Sequence, residues 1–158
     1  MTIRTVRDVL FTQLPNRLGA LGQWLGPISL RLLIAYEFFE AGLEKLRGSN
    51  WFAGIQEDFP FPLNVIPAEI SWQLATWTEL VAPAALVLGL FTRFASLNLI
   101  VLTVVAWASV HAGNGYNVCD NGFKLPLIYL AALVPLLLSG PGRLSLDHWL
   151  ARRLRTAG

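Results

Sequence analysis

The stretch RLLIAYEFFEAGLEK, residues 31–45, constrains the fold of this chain more than any other. It has the apolar character of a membrane-spanning helix, yet it carries Arg31, Glu37, Glu40, Glu44 and Lys45. A charge at mid-bilayer costs roughly 2.5–3.5 kcal/mol. At about 100° per residue, the three glutamates fall within an arc of roughly 60°, with Arg31 on nearly the opposite side. Neither the acidic face of this helix nor its basic face is stable in lipid. The stretch therefore predicts a compact intramembrane bundle whose other helices cover both faces.

The composition indicates a polytopic membrane protein. Of 158 residues, 54% are hydrophobic and 14% are charged, whereas a soluble domain has about 25% charged residues. The length fits a single domain over residues 1–158. The net charge of +2 gives no argument for a nucleic-acid partner. The single cysteine, Cys119, excludes an intrachain disulfide framework and a CxxC motif.

Four apolar stretches predict an all-α membrane protein, a four-transmembrane-helix bundle with amphipathic N- and C-terminal cytoplasmic segments. The predicted spans are 28–46, 72–91, 94–110 and 125–139. Residues 3–24 form either an amphipathic segment along the cytoplasmic face or a frayed tail. One side of this arrangement collects most of the arginines, namely Arg4, Arg7, Arg17, Arg93, Arg143, Arg152, Arg153 and Arg155. The positive-inside rule therefore predicts a multi-pass membrane protein with both termini in the cytoplasm and both longer loops outside.

The loop between the first two spans, residues 47–70, is rich in aromatic residues and prolines. FPFPLNVIP cannot continue a helix, so an ordered loop is expected. It is long enough to fold back over the bundle as a lid, and long loops inside compact folds are often functional.

Candidate catalytic residues converge near the predicted outer third of the bundle: Glu79 in the second span, with Glu40, Glu44 and Lys45 in the first. They form either a structural ion-pair network that joins the helices, or a polar site that binds a small ligand or relays protons.

Most of the candidate cofactor-binding residues are predicted to lie in or near the same outer third of the bundle. Trp77 and Trp107 are deep enough in their spans to wall a quinone site, because flat rings stack on aromatic side chains. His111 and Lys124 belong to the same outer end, although a lone histidine at a helix end is more often capped or solvated. Arg31 lies near the cytoplasmic end, where it either snorkels to headgroups or pairs between helices.

No metal site is predicted from the remaining soft ligands. His111, Cys119 and Asp120 match no zinc spacing. For the lone thiol of Cys119, copper shared with a partner protein and a mixed disulfide both stay open.

Several of these residues carry a family resemblance. Arg31, Phe38, Gly42 and Lys45-Leu46, then Glu79 followed by LVLGLFTRFASL, then Lys124 and GPGRLSLD, resemble the DoxX family over about residues 30–150. AYEFFEAGLEKLRGSNWF and HAGNGYN are most similar to its HvfX-type members, which are encoded beside enzymes that modify copper-binding peptides. The resemblance implies a four-helix bundle with cytoplasmic termini and a link to redox chemistry, since relatives are subunits of quinone-reducing thiosulfate oxidoreductases. The family positions that map here are Arg31, Gly42, Lys45, Glu79 and Lys124.

The leading functional hypothesis is an inner-membrane auxiliary subunit that couples an oxidoreductase partner to the quinone pool. A polar pocket of Glu79, Glu40, Glu44 and Lys45 would exchange protons there. The alternatives are a non-catalytic scaffold for a peptide-modifying or copper-handling system, and a small-solute or metal transporter that a homo-oligomer could form. Whether the chain is itself an enzyme stays open at this point.

Overall fold

The computed structural model describes residues 9–156, which form helices and connecting loops without a β-strand. The predicted all-α class is therefore confirmed for this part of the chain. The described helices are α1 (Leu14–Arg47), α2 (Ala68–Leu88), α3 (Thr92–Ala106), α4 (Lys124–Ser139) and α5 (Leu146–Thr156). Two π-helical turns, Val9–Gln13 and Trp107–His111, extend α1 and α3, and short 3-10 helices occur at Phe52–Gly54, Gln56–Asp58 and Leu63–Val65. Arg4 and Arg7 lie outside the described residues.

Helices α1 to α4 pack in a ring, each against its neighbours in sequence and α4 against α1. The fully buried side chains at the centre include Ile34, Leu86, Leu99 and Leu133, one from each helix. Two segments, Phe11–Arg47 and Thr92–His111, are long and apolar enough to cross a membrane, and α4 is a shorter apolar helix. Large apolar side chains cover much of the outer surface, as expected for helices that face lipid.

Helix α1 is one continuous helix, whereas the sequence predicted an amphipathic segment ending before a separate span at residue 28. Its 34 residues extend about 51 Å. Pro27 lies inside the helix without ending it. The preceding residue, Gly26, has no Cβ to clash with the proline ring, so its backbone can stay helical. Residues 11–25 are exposed, so the first half of α1 projects beyond the packed ring.

Arg31 holds the helix ends together on one side of the bundle. Its guanidinium is 2% exposed and donates to four backbone carbonyls: Leu86 O (2.6 Å), Val87 O (2.7 Å), Pro141 O (3.0 Å) and Leu144 O (2.7 Å). The carbonyls in the last turn of a helix have no partner within that helix. Arg31 therefore satisfies the C-terminal end of α2 and the chain after α4, and within residues 9–156 no carboxylate lies within ion-pair distance of it.

Gly89 allows this arrangement. It ends α2 in the left-handed conformation, with φ +64°, which glycine adopts without strain. A Cβ at this position would lie 2.7 Å from Arg31 Nη2 and 2.5 Å from Ser145 Cβ. Asp147 of α5 then accepts hydrogen bonds from the N–H groups of Phe91 (2.8 Å) and Thr92 (3.1 Å), which docks α5 on the turn between α2 and α3.

Candidate functional site

A cavity of about 750 Å³ lies between α1, α2, α3 and α4 at the end of the bundle opposite Arg31. Its walls are mostly apolar, with a small number of polar side chains from each helix. Cavities of 300–1,000 Å³ with this kind of lining are typical of small-molecule sites. The polar lining residues include Glu37 and Lys45 of α1, Ser71, Thr78 and Glu79 of α2, Asn98 and Thr103 of α3, and Tyr129 of α4.

Lys45 and Glu79 form an ion pair on the cavity wall. Lys45 Nζ lies 2.7 Å from Glu79 Oε2 and donates a hydrogen bond to Oε1 at 3.0 Å. The Glu79 side chain is 5% exposed and that of Lys45 is 16% exposed. Each charge thus supplies the partner that makes burial of the other tolerable. The structure brings these two predicted residues together.

Gly42 explains how α1 and α2 come close enough for this pair. A Cβ built on Gly42 would lie 3.0 Å from the backbone carbon, backbone oxygen and Cβ of Glu79. The absence of a side chain at position 42 lets the α1 backbone rest directly on Glu79. Lys45, one turn further along α1, then reaches the carboxylate.

A second polar pair links α1 to α4 on the same cavity. The Tyr129 hydroxyl donates to Glu37 Oε2 at 2.6 Å. The Tyr129 ring also packs on Phe38, with 5.3 Å between ring centroids, which fixes the position of the hydroxyl. The cavity therefore contains two carboxylates from different helices, each paired with a side chain that can donate a proton.

Two buried polar atoms of the cavity wall lack a hydrogen-bond partner within residues 9–156. They are Ser71 Oγ and Glu79 Oε2, the latter close to Lys45 but without hydrogen-bond geometry. Ser71 is 7% exposed and Glu79 is 4% exposed. Buried polar groups are rarely left unpaired. Glu79 Oε2 already has the Lys45 ammonium as its ion-pair partner, so the Ser71 hydroxyl is the atom that a bound molecule or water would complete.

The loop after α1 folds back over the cavity, as its length and composition predicted. Trp51, Phe52 and Phe59 pack edge-to-face on one another, and both Trp51 and Phe52 pack on Trp72 of α2. The three loop side chains line the cavity, together with Leu63. An aromatic lid thus covers the loop side of the cavity.

Glu40 and Glu44 do not join this site, which corrects the expectation of one shared pocket. Both side chains are exposed, and they lie with Arg47 along a separate shallow surface. Their exposure has a helical reason: Glu40 lies about 160° around α1 from the inward-facing Phe38, and Glu44 about 120°. Both lie in the last turns of α1, and the expectation that other helices cover this acidic face does not hold for these two residues in the described part of the chain.

The two predicted tryptophan walls do not line the cavity either. Trp77 is 55% exposed and points away from the bundle. Trp107 stacks on Phe123, with parallel rings and centroids 5.3 Å apart. The aromatic walls come instead from the lid and from Phe38 and Tyr129.

The other predicted cofactor-binding residues are divided between three places. His111 lines the rim of the cavity, where its Nδ1 lies 2.6 Å from Asn121 O. Lys124 Nζ lies 5.6 Å from the centroid of the Tyr116 ring and outside the cavity lining. Arg31 is at the opposite end, with its donors directed at backbone carbonyls.

Glu37, Tyr129 and Ser71 were missed as site residues. Tyr129 interrupts the apolar run LPLIYLAALVP in the fourth predicted span, and a lone hydroxyl there was the available signal. Ser71 had no such signal, because it lies at the start of a helix where serine is common.

Within residues 9–156, no three His, Cys, Asp or Glu side chains lie close enough to share a metal ion, and Cys119 is exposed.

Taken together, the all-helical fold, the helices of membrane-crossing length and the cavity between them define a helical membrane protein with an internal cavity. The chain belongs to the DoxX family: residues 26–112 match the family model, which confirms the resemblance seen in the sequence. A protein of Haemophilus influenzae described as uncharacterized is 53% identical over 131 residues, covering 83% of this chain and 87% of that protein. No solved structure matches the chain. The finer HvfX-type resemblance stays a prediction.

Proposed function

We propose that this protein binds a quinone-type molecule in the cavity between α1 and α4 and couples an oxidoreductase partner to the quinone pool of the inner membrane. The observation that carries the proposal is the cavity itself: an apolar chamber between the helices, with two paired carboxylates and an unpartnered Ser71 hydroxyl in its wall. Apolar walls with a few convergent polar groups suit a ligand that has an apolar body and a polar head.

The residues present fit a quinone. Such a ring carries two carbonyl oxygens, and the Ser71 hydroxyl and the Lys45 ammonium can both donate to them. Glu79 Oε2, which lies 2.7 Å from Lys45 Nζ, can also accept from a hydroxyl. Phe52 and Phe59 of the lid supply aromatic faces. A bound quinone would bring redox chemistry that this chain's own side chains do not contribute.

The protein's own part in that chemistry is to hold and move protons. Lys45 with Glu79, and Tyr129 with Glu37, are acid–base pairs at hydrogen-bond distance on one cavity. A proton can shift within each pair without leaving the site, and short transfers of this kind need donor and acceptor about 2.6–3.2 Å apart. His111 at the rim is a further group that could exchange protons with the outside.

The proposal includes a membrane arrangement with four crossings and both termini in the cytoplasm. It is supported by the ring packing of α1 to α4 and by the hydrogen bonds of Arg31, which join the end of α2 to the chain after α4. The arginines that belong to that end of the bundle, Arg93, Arg143, Arg152, Arg153 and Arg155, favour its cytoplasmic placement.

Binding of ubiquinone-1 by the purified protein in mild detergent tests the proposal. We expect saturable quenching of tryptophan fluorescence, because Trp51 lines the cavity. Ser71→Ala should weaken binding by about tenfold, as expected for loss of one hydrogen bond to a ligand. Tyr36→Phe is the control, since Tyr36 is 66% exposed on α1 and lies outside the cavity. Absence of saturable binding by the wild type would remove the proposal.

A further inference from the structure

The cavity is open on the side where α2 faces α3. Leu74 of α2 and Val101 of α3 both line it, and their side chains are 58% and 56% exposed. A side chain that lines an internal cavity and is also more than half exposed on the outer surface stands at an opening.

The residues that border the opening recur at helical spacing on each of the two helices. The α2 side consists of Leu74 and Thr78, and the α3 side of Asn98, Val101 and Val105, all of which line the cavity. Positions three, four and seven apart share one helix face. These two facing stripes therefore border a cleft that is continuous with the cavity.

The cleft closes towards the turn that joins the two helices. There Leu86 of α2 is fully buried and Ala95 of α3 is 3% exposed in the common core, and the turn at Gly89 is fixed by Arg31 and Ser145. Helices α2 and α3 thus pack together near their connection and leave a gap further along.

The loop side of the cavity is covered by packed aromatic rings. On the loop side, Trp51, Phe52 and Phe59 form the aromatic lid, and Trp72 supports them from α2. A molecule arriving from water would have to displace packed rings, whereas the side cleft is bordered by Leu74 and Val101 on helices whose outer faces are apolar.

We propose that the cleft between α2 and α3 is a lateral portal through which a lipid-soluble ligand reaches the cavity directly from the bilayer hydrocarbon. This inference rests on the proposed function, because it concerns the route of the molecule that the cavity binds. Entry through this portal restricts the ligand to molecules that dissolve in the membrane. The apolar portal admits the apolar body of the molecule, and Glu79 and Lys45 bind its polar head inside the cavity.

The test narrows the portal by a substitution at its border and leaves the polar side chains of the cavity unchanged. Val101→Phe adds bulk at the α3 border, and Val104→Phe is the matched control, because Val104 is 49% exposed on the same helix and does not line the cavity. Each protein is reconstituted in proteoliposomes, and tryptophan quenching is followed after rapid mixing with decylubiquinone. We expect Val101→Phe to slow quenching by about tenfold, and Val104→Phe to leave it unchanged.

The outcomes separate the portal from the proposed function. If the wild type shows no saturable quenching with either quinone, the proposed function fails. If the wild type binds and Val101→Phe binds as fast as Val104→Phe, the portal alone is overturned. The same holds if Leu125→Phe, at the loop end of the cavity, slows binding and Val101→Phe does not. If Val101→Phe fails to fold, Leu74→Phe narrows the same portal from the α2 side. Its control is Val81→Phe.

Discussion

Lys45 Nζ lies 2.7 Å from Glu79 Oε2, and this ion pair between α1 and α2 is buried beside an apolar cavity. An ion pair in such a place can be a structural link between helices, a part of the ligand site, or both. The two roles predict different measurements, because a structural link acts through the mutual charge of the pair, whereas a ligand site requires the Glu79 carboxylate to contact the bound molecule.

Removing one partner of the pair should destabilise the protein more than removing both. Lys45→Met leaves the Glu79 carboxylate buried without its cation, which typically costs about 3–5 kcal/mol. The double variant Lys45→Met/Glu79→Met replaces both charges with apolar groups and should recover most of that loss. Thermal unfolding in detergent measures both effects. A double variant as unstable as Lys45→Met would show that the charges are not coupled.

The same variants separate the scaffold hypothesis from the ligand hypothesis. If the pair serves only to join α1 to α2, the stable double variant should bind ubiquinone-1 as the wild type does. If Glu79 belongs to the ligand site, the double variant should be folded and should have lost at least tenfold in affinity, about 1.4 kcal/mol.

The contact between Gly42 and Glu79 gives a second prediction. Gly42→Ala places a Cβ 3.0 Å from three atoms of Glu79, two of them backbone. We expect α1 and α2 to separate by a few tenths of an ångström, at a cost of about 1–3 kcal/mol. Gly22→Ala is the control in the same helix, because its Cβ meets nothing within 4 Å. It should be neutral or stabilising by up to about 1 kcal/mol, since alanine favours helix.

A lower unfolding temperature for Gly42→Ala, with none for Gly22→Ala, would support the close approach. If Gly42→Ala were as stable as the wild type, the helices would be further apart at this point than the structure places them.

Arg31 gives a third prediction, because its role depends on the shape of the guanidinium. Its nitrogens reach four carbonyls from two segments, and an ammonium group has three donors on one atom and cannot span them. Arg31→Lys should therefore destabilise the protein by at least about 2 kcal/mol. Arg93→Lys is the control, since Arg93 is exposed and its guanidinium donates to Leu138 O at 3.3 Å. That change should stay within about 0.5 kcal/mol.

Hydrogen exchange gives Arg31→Lys a more specific readout. The amides that follow the α2 end and the segment 141–147 should exchange faster, while those near Lys45 should not. Uniform acceleration along the whole chain would contradict the local role.

The sequence predicted the helices well because apolar runs and loop signals are local properties. Each of the spans predicted at 28–46, 72–91, 94–110 and 125–139 falls on a helix of the structure. The break expected before residue 28 was wrong. Pro27 lies inside α1 without ending it, as Pro83 does in α2 and Pro135 in α4, so an internal proline does not mark a helix end in this chain.

The site was predicted only in part, because helical spacing gives the angle between residues but not which angle faces inward. Lys45 lies close in angle to the buried Phe38, whereas Glu40 lies on nearly the opposite side. The inward face is set by contacts with α2, among them that of Gly42 with Glu79, which the sequence of one helix does not contain. Tyr129 likewise became a site residue only through its hydrogen bond to Glu37, 92 positions earlier in the chain.

The last prediction concerns pH and the start of the aromatic lid. Glu69, at the beginning of α2 and before the predicted second span, accepts hydrogen bonds from the side-chain amides of Asn50 (2.9 Å) and Gln73 (3.2 Å). These bonds, that of Asn50 first, hold the pKa of Glu69 below its usual value. The Asn50 bond ties the loop before Trp51 to α2, so it should be complete above the ordinary glutamate pKa and lost as the pH falls through the lowered pKa of Glu69.

Carboxyl-carbon NMR titration of Glu69 measures this directly, and Asn50→Ala should move the pKa of Glu69 back towards its usual value. Limited proteolysis of residues 48–66 should become faster in the wild type at pH values below that pKa, because the protonated carboxyl no longer holds Asn50. Glu69→Gln removes the titrating group, so its proteolysis rate should not change over the same pH range. An equal acid response in Glu69→Gln would place the sensitive group elsewhere. The lid would then be held by its aromatic contacts, Phe52 on Trp72 foremost, without help from this hydrogen bond.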